Sequence, residues 1–218
     1  MKTAGKCPPE KEELEKVAEC FYHTELYLEK HHLDEFGETL EQARKADVDI
    51  ASIHTPHVSL DELHYFREAD RLADELDAYL VVHSQFIHHT HIGKVEERID
   101  FRASYGYENN PGVSVHHLEN VILGRGKELA LDTAHLYLAE PDYLEQMELL
   151  LEEADVQLIH LADASDTEDG LPFGDGEMDM EEVCRVIDRS SFDGIVVLEV
   201  MPGRQEEARE KWEEYTGR

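Results

Sequence analysis

The sequence predicts an α/β chain folded as a (β/α)8 barrel, and three observations lead there. Apolar runs of strand length alternate strictly with segments of helical periodicity, about eight helices and seven strands, the pattern of parallel strands with helices outside. Six runs finish in a residue that a strand buried on both faces has no use for in its body: His54 and His57 in ASIHTPH, His83 in YLVVHS, Glu108 with Asn109 in SYGYENN, Asp132 in ELALDTAH, His160 and Asp163 in VQLIHLAD, Glu199 in GIVVLEV. The ends are also regularly spaced. From His54 through His83, Glu108, Asp132 and His160 to Glu199 the steps are 29, 25, 24, 28 and 39 residues, against roughly 30 for one βα unit. An open doubly wound sheet gathers its ligands from two or three strand ends at a switch point. Only a closed barrel brings six ends to one axis.

Taken in order, the segment 1–7 (MKTAGKC) has no apolar run, so the first strand is expected to be weak or missing. Pro8 and Pro9 open a helix with Leu14, Val17, Ala18 and Phe21 on one face. TELYLE over 24–29 is a short strand whose Glu25 and Glu29 are candidates to reach the pocket, and a second helix over 34–46 turns Phe36, Leu40 and Ala43 inward. IASIH follows as a strand. Ser59 and Glu62 then form a capping box before a long helix bearing Leu63, Phe66, Ala69, Leu72, Ala73 and Leu76. YLVVH is the next strand. The segment 85–103 holds one weak helix, and its His88, His89 and His91 are expected in a polar loop, with a second metal as the alternative.

SYGYEN is a strand. Val115, Leu118, Val121 and Ile122 form a helix face that stops at Gly124 and Gly126. After ELALDT, Pro141 starts a helix with Leu144, Met147, Leu150 and Leu151. VQLIHLAD is a strand, and the insertion DASDTEDGLPFGDGEMD after it accounts for the long last step. Gly174 and Gly176 within it offer backbone N–H groups to a phosphate, or form a plain turn. Asp179 with Glu182 caps a helix carrying Val183, Cys184 and Ile187; GIVVLEV is the last strand, and Ala208, Trp212 and Tyr215 mark the final helix.

At 218 residues the chain is expected to form a single domain over 1–218. No run approaches the roughly 20 apolar residues of a membrane span, and MKTAGKCPPEKEE lacks a signal peptide's apolar core. A cytoplasmic protein without a membrane partner is the expectation, and its oligomeric state is left open. The formal charge of -31, from 51 acidic and 20 basic residues, is spread over nearly every helix. That distribution fits a solvated surface adapted to high salt, where screening removes the self-repulsion. Nucleic acid is disfavoured as a partner, because phosphate binding needs a basic patch. Cys7, Cys20 and Cys184 are odd in number with no Cys-x-x-Cys pair, which fits reduced thiols rather than a disulfide framework or zinc ribbon.

One interior histidine is more often hydrogen-bonded than ligating. Three histidines, two glutamates and an aspartate around one axis are a divalent-metal constellation. Imidazole with carboxylate suits Zn²⁺, Mn²⁺, Fe²⁺ or Co²⁺, and the absence of Cys ligands argues against a structural zinc.

These motifs resemble the xylose-isomerase-like TIM barrels, which include sugar isomerases, epimerases and endonuclease IV. The resemblance covers about 24–201 and rests on IHTPH, VVHS, the Glu-Asn of YENN, LDTAH, IHLAD with PFGDGEMD, and VLEV, loose motifs singly and fairly specific jointly. It implies that Glu108, Asp132, His160 and Glu199 ligate one divalent metal (Mn²⁺, Zn²⁺, Co²⁺ or Mg²⁺). It further implies that His54 and His83, with Glu108 bridging, match a second zinc of the nuclease branch. His135 matches a substrate contact of the epimerases or a ligand of the nucleases' third zinc. Endonuclease IV completes that zinc with Asp-x-His before the Gly-x-Gly turn. Here the region reads EDGLPFGDG, with Asp169 but no histidine, and the arginine that epimerases often place after the strand-seven histidine is absent too.

The resemblance therefore implies a divalent-metal-dependent isomerase or epimerase acting on a small molecule, a sugar or related polyhydroxy compound. Glu108 and Glu199 would transfer the proton through an enediolate, and His54, His83 and His135 would bind the substrate. Tyr105, Tyr107 and Phe173 would stack on a sugar ring or pack the barrel top. The alternatives are an endonuclease IV-like zinc phosphodiesterase acting on abasic DNA, and a metal-binding barrel whose activity has decayed.

Overall fold

The computed structural model describes residues 1–83 and 92–218. His88, His89 and His91 lie outside the described residues. Eight parallel strands follow one another in chain order as a closed barrel: β1 (Lys2–Cys7), β2 (His23–Tyr27), β3 (Asp49–His54), β4 (Tyr79–Val82), β5 (Tyr105–Glu108), β6 (Glu128–Asp132), β7 (Val156–Leu161) and β8 (Ile195–Leu198). Between and after them are α1 (Lys11–Cys20), α2 (Lys30–Asp34), α3 (Phe36–Lys45), α4 (His64–Leu76), α5 (Ile92–Glu96), α6 (Val115–Val121), α7 (Thr133–Ala139), α8 (Tyr143–Glu153), α9 (Met180–Arg189) and α10 (Gln205–Thr216). None of these helices is long and apolar enough to cross a membrane. By its internal contacts the chain divides into two units, one of Ala4–Glu108 and one of Met1–Thr3 with Asn109–Arg218.

The Ala4–Glu108 unit corrects the expectation of a weak or missing first strand. β1 pairs with β2 in parallel register, Ala4 with His23 through Cys7 with Leu26. It is held by backbone hydrogen bonds that need no apolar side chains, which is why composition hides it. The idea of a decayed barrel loses the observation that prompted it. The layer formed by Lys6, Glu25 and Ser52 is also unusual for a barrel interior, where branched apolar residues dominate. The Lys6 ammonium stands 3.1 Å from Glu25 Oε1, and the Ser52 hydroxyl donates to Glu25 Oε2 at 2.9 Å. Glu25 is wholly buried and therefore belongs to this ion pair. Glu29 instead caps α2, sharing a capping box with His32.

Elsewhere in this unit the apolar periodicity holds. α4 buries Phe66, Ala69, Leu72 and Ala73 and packs on β3 and β4. The helix expected over 34–46 is α3, and the short α2 precedes it, separated where Glu35 leaves helical geometry at φ -102, ψ 38. Ser59 donates from both its N–H and its hydroxyl to Glu62 at 3.1 Å, closing a turn ahead of α4. Tyr105 and Tyr107 donate to Glu96 at 3.4 and 3.2 Å, and Tyr107 is 1 % exposed, so it packs the interior.

In the unit of Met1–Thr3 with Asn109–Arg218, Lys2 N–H donates to Gly194 O at 2.9 Å just ahead of β8. β6, β7 and β8 pair in parallel, Asp132 opposite His160 and His160 opposite Val197. The helix α7 was not expected. It starts directly at the end of β6, because Asp132 is its N-cap and accepts the His135 N–H at 2.7 Å. The Asp179 cap of α9 is as expected, accepting Glu182 N–H at 3.0 Å. Phe173 is buried in the interior at 1 % exposure. Burial pushes the thiols of Cys7 and Cys184 up to about 12, so they stay protonated at neutral pH.

Removing one partner of a buried ion pair strands the other charge. Lys6→Met is expected to lower unfolding stability by about 3 to 5 kcal/mol in urea titrations, while Lys6→Met with Glu25→Leu recovers most of the loss. Equal losses in the two variants would show that the pair is not the source of the effect.

Candidate functional site

Within the Ala4–Glu108 unit, three of the expected residues meet. His54 is the last residue of β3, His83 directly follows β4, and Glu108 ends β5. The Nε2 atoms of His54 and His83 each stand 3.3 Å from the same oxygen, Oε2 of Glu108, and their ring centroids are 5.1 Å apart. His57 lies against the His83 ring at 4.2 Å between centroids.

Thr55, which sequence reasoning passed over, orients the His54 ring and fixes the His83 backbone. Its carbonyl takes a hydrogen bond from His54 Nδ1 at 3.0 Å, and its hydroxyl accepts the His83 backbone N–H at 2.8 Å. A carbonyl only accepts, so Nδ1 of His54 carries hydrogen. In a neutral ring the lone pair then lies on Nε2, facing the Glu108 carboxylate. That contact is favourable only with a proton or a metal cation between them.

Within the Met1–Thr3 and Asn109–Arg218 unit, a second set assembles. Asp132 ends β6, His160 lies one residue from the end of β7, and Glu199 follows β8. Ligating atoms of Asp132, His160 and Glu199 all lie within 4.8 Å of one another, with His160 Nδ1 3.1 Å from Glu199 Oε2. His160 is fully buried and Asp132 is 5 % exposed.

Asn109 holds the Asp132 backbone from both sides. Its amide donates to Asp132 O at 2.9 Å, and its carbonyl oxygen accepts Asp132 N–H at 2.7 Å. Its own main-chain carbonyl takes His135 Nδ1 at 2.7 Å, which turns Nε2 of His135 toward Asp169 Oδ2 at 3.4 Å. Asn109 was legible as a strand-end polar residue, but nothing in the sequence signals its bracing role.

The insertion is organised by Asp163. Its carboxylate is fully buried and accepts four backbone N–H groups, from Ala164 at 2.8 Å, Gly174 at 2.8 Å, Gly176 at 3.0 Å and Met178 at 3.1 Å. The phosphate cradle considered for Gly174 and Gly176 is thereby excluded, since the chain's own carboxylate fills it. Gly176 is sterically required as well: a Cβ there would sit 2.4 Å from Asp163 Oδ1 and from Ala164 O.

The family model of the xylose isomerase-like TIM barrels matches residues 102–215, just over half of the chain. The chain belongs to this family. Like its xylose isomerase-like relatives it is a full barrel, and solved structures superpose on nearly all of it. A D-tagatose 3-epimerase-like protein is 20 % identical, with 100 % of this chain and 98 % of that one covered and a TM-score of 0.74. D-allulose 3-epimerase from Methylomonas sp. is 11 % identical, with 99 % and 98 % covered and a TM-score of 0.73. The IOLI protein, solved with a binding zinc atom, is 15 % identical, with 99 % and 96 % covered and a TM-score of 0.63. At these identities the likeness is one of fold. Comparison with curated protein sequences gives no match.

Asn109→Ala removes both braces of Asp132 and leaves a buried N–H and C=O without those partners. A loss of about 2 to 4 kcal/mol is expected, measured by thermal or urea unfolding. A loss below about 0.5 kcal/mol, the range of an ordinary surface substitution, would refute the bracing role.

Proposed function

We propose that Glu108, Asp132, His160 and Glu199 hold one divalent metal ion at the strand ends of β5 to β8, and that the protein is a metal-dependent isomerase or epimerase of a sugar or related polyhydroxy compound. The observation that carries this reading is the trio of buried Asp132 and His160 with half-buried Glu199, whose ligating atoms lie within 4.8 Å of one another. Two carboxylates that close repel each other, and a dication between them removes the repulsion. Carboxylate with imidazole fits Mn²⁺, Zn²⁺, Co²⁺ or Mg²⁺. Glu108 joins the set through the chain itself. It directly precedes Asn109, whose side chain is bonded to the Asp132 backbone. Family membership, the two epimerase-type neighbours and the zinc of the IOLI structure support the same reading.

A divalent metal held there would supply Lewis-acid stabilisation of negative charge developing on the substrate's carbonyl and adjacent hydroxyl oxygens. The protein's residues do the rest. Glu199 and Glu108 act as the acid–base pair, one taking the proton from the carbon beside the carbonyl and the other returning it. Delivery to the opposite face gives the epimer. Delivery to the neighbouring carbon gives the isomer. His54, His83 and His135 hold substrate hydroxyls, the His54 ring oriented by Thr55 and the His135 ring by Asn109.

A second reading, a zinc phosphodiesterase of the endonuclease IV kind, draws on His54 and His83 standing 3.3 Å from one Glu108 oxygen. It remains the runner-up, because no histidine accompanies Asp169 and the net charge of -31 repels a polyanion.

Elemental analysis is expected to find about one divalent metal per chain. Two or three zincs, with nicking of abasic DNA in high salt, would favour the runner-up, and no metal would refute both. Glu199→Gln is expected to reduce deuterium uptake from D2O into a ketohexose at least about 100-fold with the circular dichroism unchanged. Wild-type exchange in that variant would remove Glu199 from the mechanism.

A further inference from the structure

Asp163 lies three residues beyond His160 and is fully buried, yet its carboxylate faces backbone. Four N–H groups converge on it from both ends of the loop over 164–178. The main chain of Asp163 is also paired with Leu171 in both directions at 2.9 Å. This one residue thus ties the loop together, its carboxylate joining the start to the end and its main chain holding the middle. Further ties anchor it to its surroundings: Tyr137 donates to Glu177 at 3.3 Å, Arg204 to Asp175 at 3.3 Å, and Lys211 to Phe173 O.

The free span between these anchors carries Asp169, whose carboxylate stands against Nε2 of His135. Asn109 O thus fixes the ring through Nδ1, and Asp169 stands beside Nε2. With Nδ1 donating to Asn109 O, the neutral ring carries its lone pair on Nε2 beside the Asp169 carboxylate, and these two adjacent acceptors suit a polyol, whose neighbouring hydroxyls donate one to each.

We propose that Asp163 is a positioning residue, fixing the 164–178 loop so that Asp169 and His135 together form a hydroxyl-binding pair of the substrate pocket. The proposal rests on the reading of His135 as a substrate contact. It places the discrimination among polyhydroxy compounds on the loop rather than on the metal ligands. A structural role alone would predict that loosening the loop leaves His135 and substrate affinity untouched.

Asp163→Asn keeps the shape but turns an NH2 or a single oxygen toward donors that need two oxygens. Hydrogen exchange of the Gly174, Gly176 and Met178 amides is expected to accelerate at least about tenfold, and carbethoxylation of His135 by diethyl pyrocarbonate, read by mass spectrometry, to rise about tenfold. The KM for D-allulose or D-tagatose is expected to rise by a similar factor, with kcat changed much less. Asp169→Asn is expected to match the His135 and KM effects while the loop amides stay protected. The double variant is expected to be no worse than Asp163→Asn alone.

Loop amides released with His135 reactivity unchanged would overturn the proposal, and so would effects that add in the double variant. Should Asp163→Asn not fold, Gly176→Ala disturbs the same anchor by steric contact and carries the same expectations. Asp169→Asn decides by itself if neither folds, an unchanged His135 reactivity refuting the pair. Lack of turnover of any ketohexose by the wild type would sink the proposed function, whereas the exchange and modification measurements would still judge Asp163.

Discussion

A polar side chain at the end of a strand buried on both faces brings dry backbone with it, and that backbone must find its partners within the chain. The whole candidate site depends on this constraint. At several polar strand ends a neighbouring side chain pairs the adjoining main chain. Thr55 accepts the His83 N–H, Asn109 clasps Asp132 from both sides, Asp132 caps the helix that starts behind it, and Asp163 gathers four N–H groups of the following loop. An unpaired group at any of these points costs about 1 to 3 kcal/mol. The orientation of the chemical groups and the satisfaction of the backbone are therefore one problem solved by the same side chains.

The barrel interior shows a similar economy one layer further in. Lys6, Glu25 and Ser52 sit on three consecutive strands at matching register, Lys6 opposite Glu25 and Glu25 opposite Ser52. A buried pair of this kind adds little net stability compared with well-packed apolar residues. What it adds is a preference for one register: sliding β1 by a single residue would turn Lys6 away from Glu25 and leave a buried charge alone. β1, with few apolar residues to fix its alignment, has particular need of such a marker.

How far the sequence revealed the fold follows from the same physics. Strands β3 to β8 announce themselves through apolar runs, and their polar ends are visible because a charge has no place in such a run. β1 was obscured, since its pairing is made by backbone atoms and its residues are small, polar or charged. α7 was obscured for a different reason: its N-cap is also the last residue of β6, so no loop separates strand from helix. At the site, the ionisable residues were legible by type and spacing. Thr55 and Asn109 were not, because a side chain that braces backbone carries no periodic signature. Gly174 and Gly176 read as an anion cradle or a plain turn, and their amides meet an anion supplied by the chain itself, Asp163.

The way the insertion is tied down has an evolutionary consequence. Its geometry is specified at Asp163 and at the three amides of Gly174, Gly176 and Met178, while the exposed stretch from Asp166 to Asp169 contributes little to the anchor. Mutation can therefore explore that stretch without disturbing the barrel, and a lineage carrying this scaffold is free to vary the groups the loop exposes one short segment at a time.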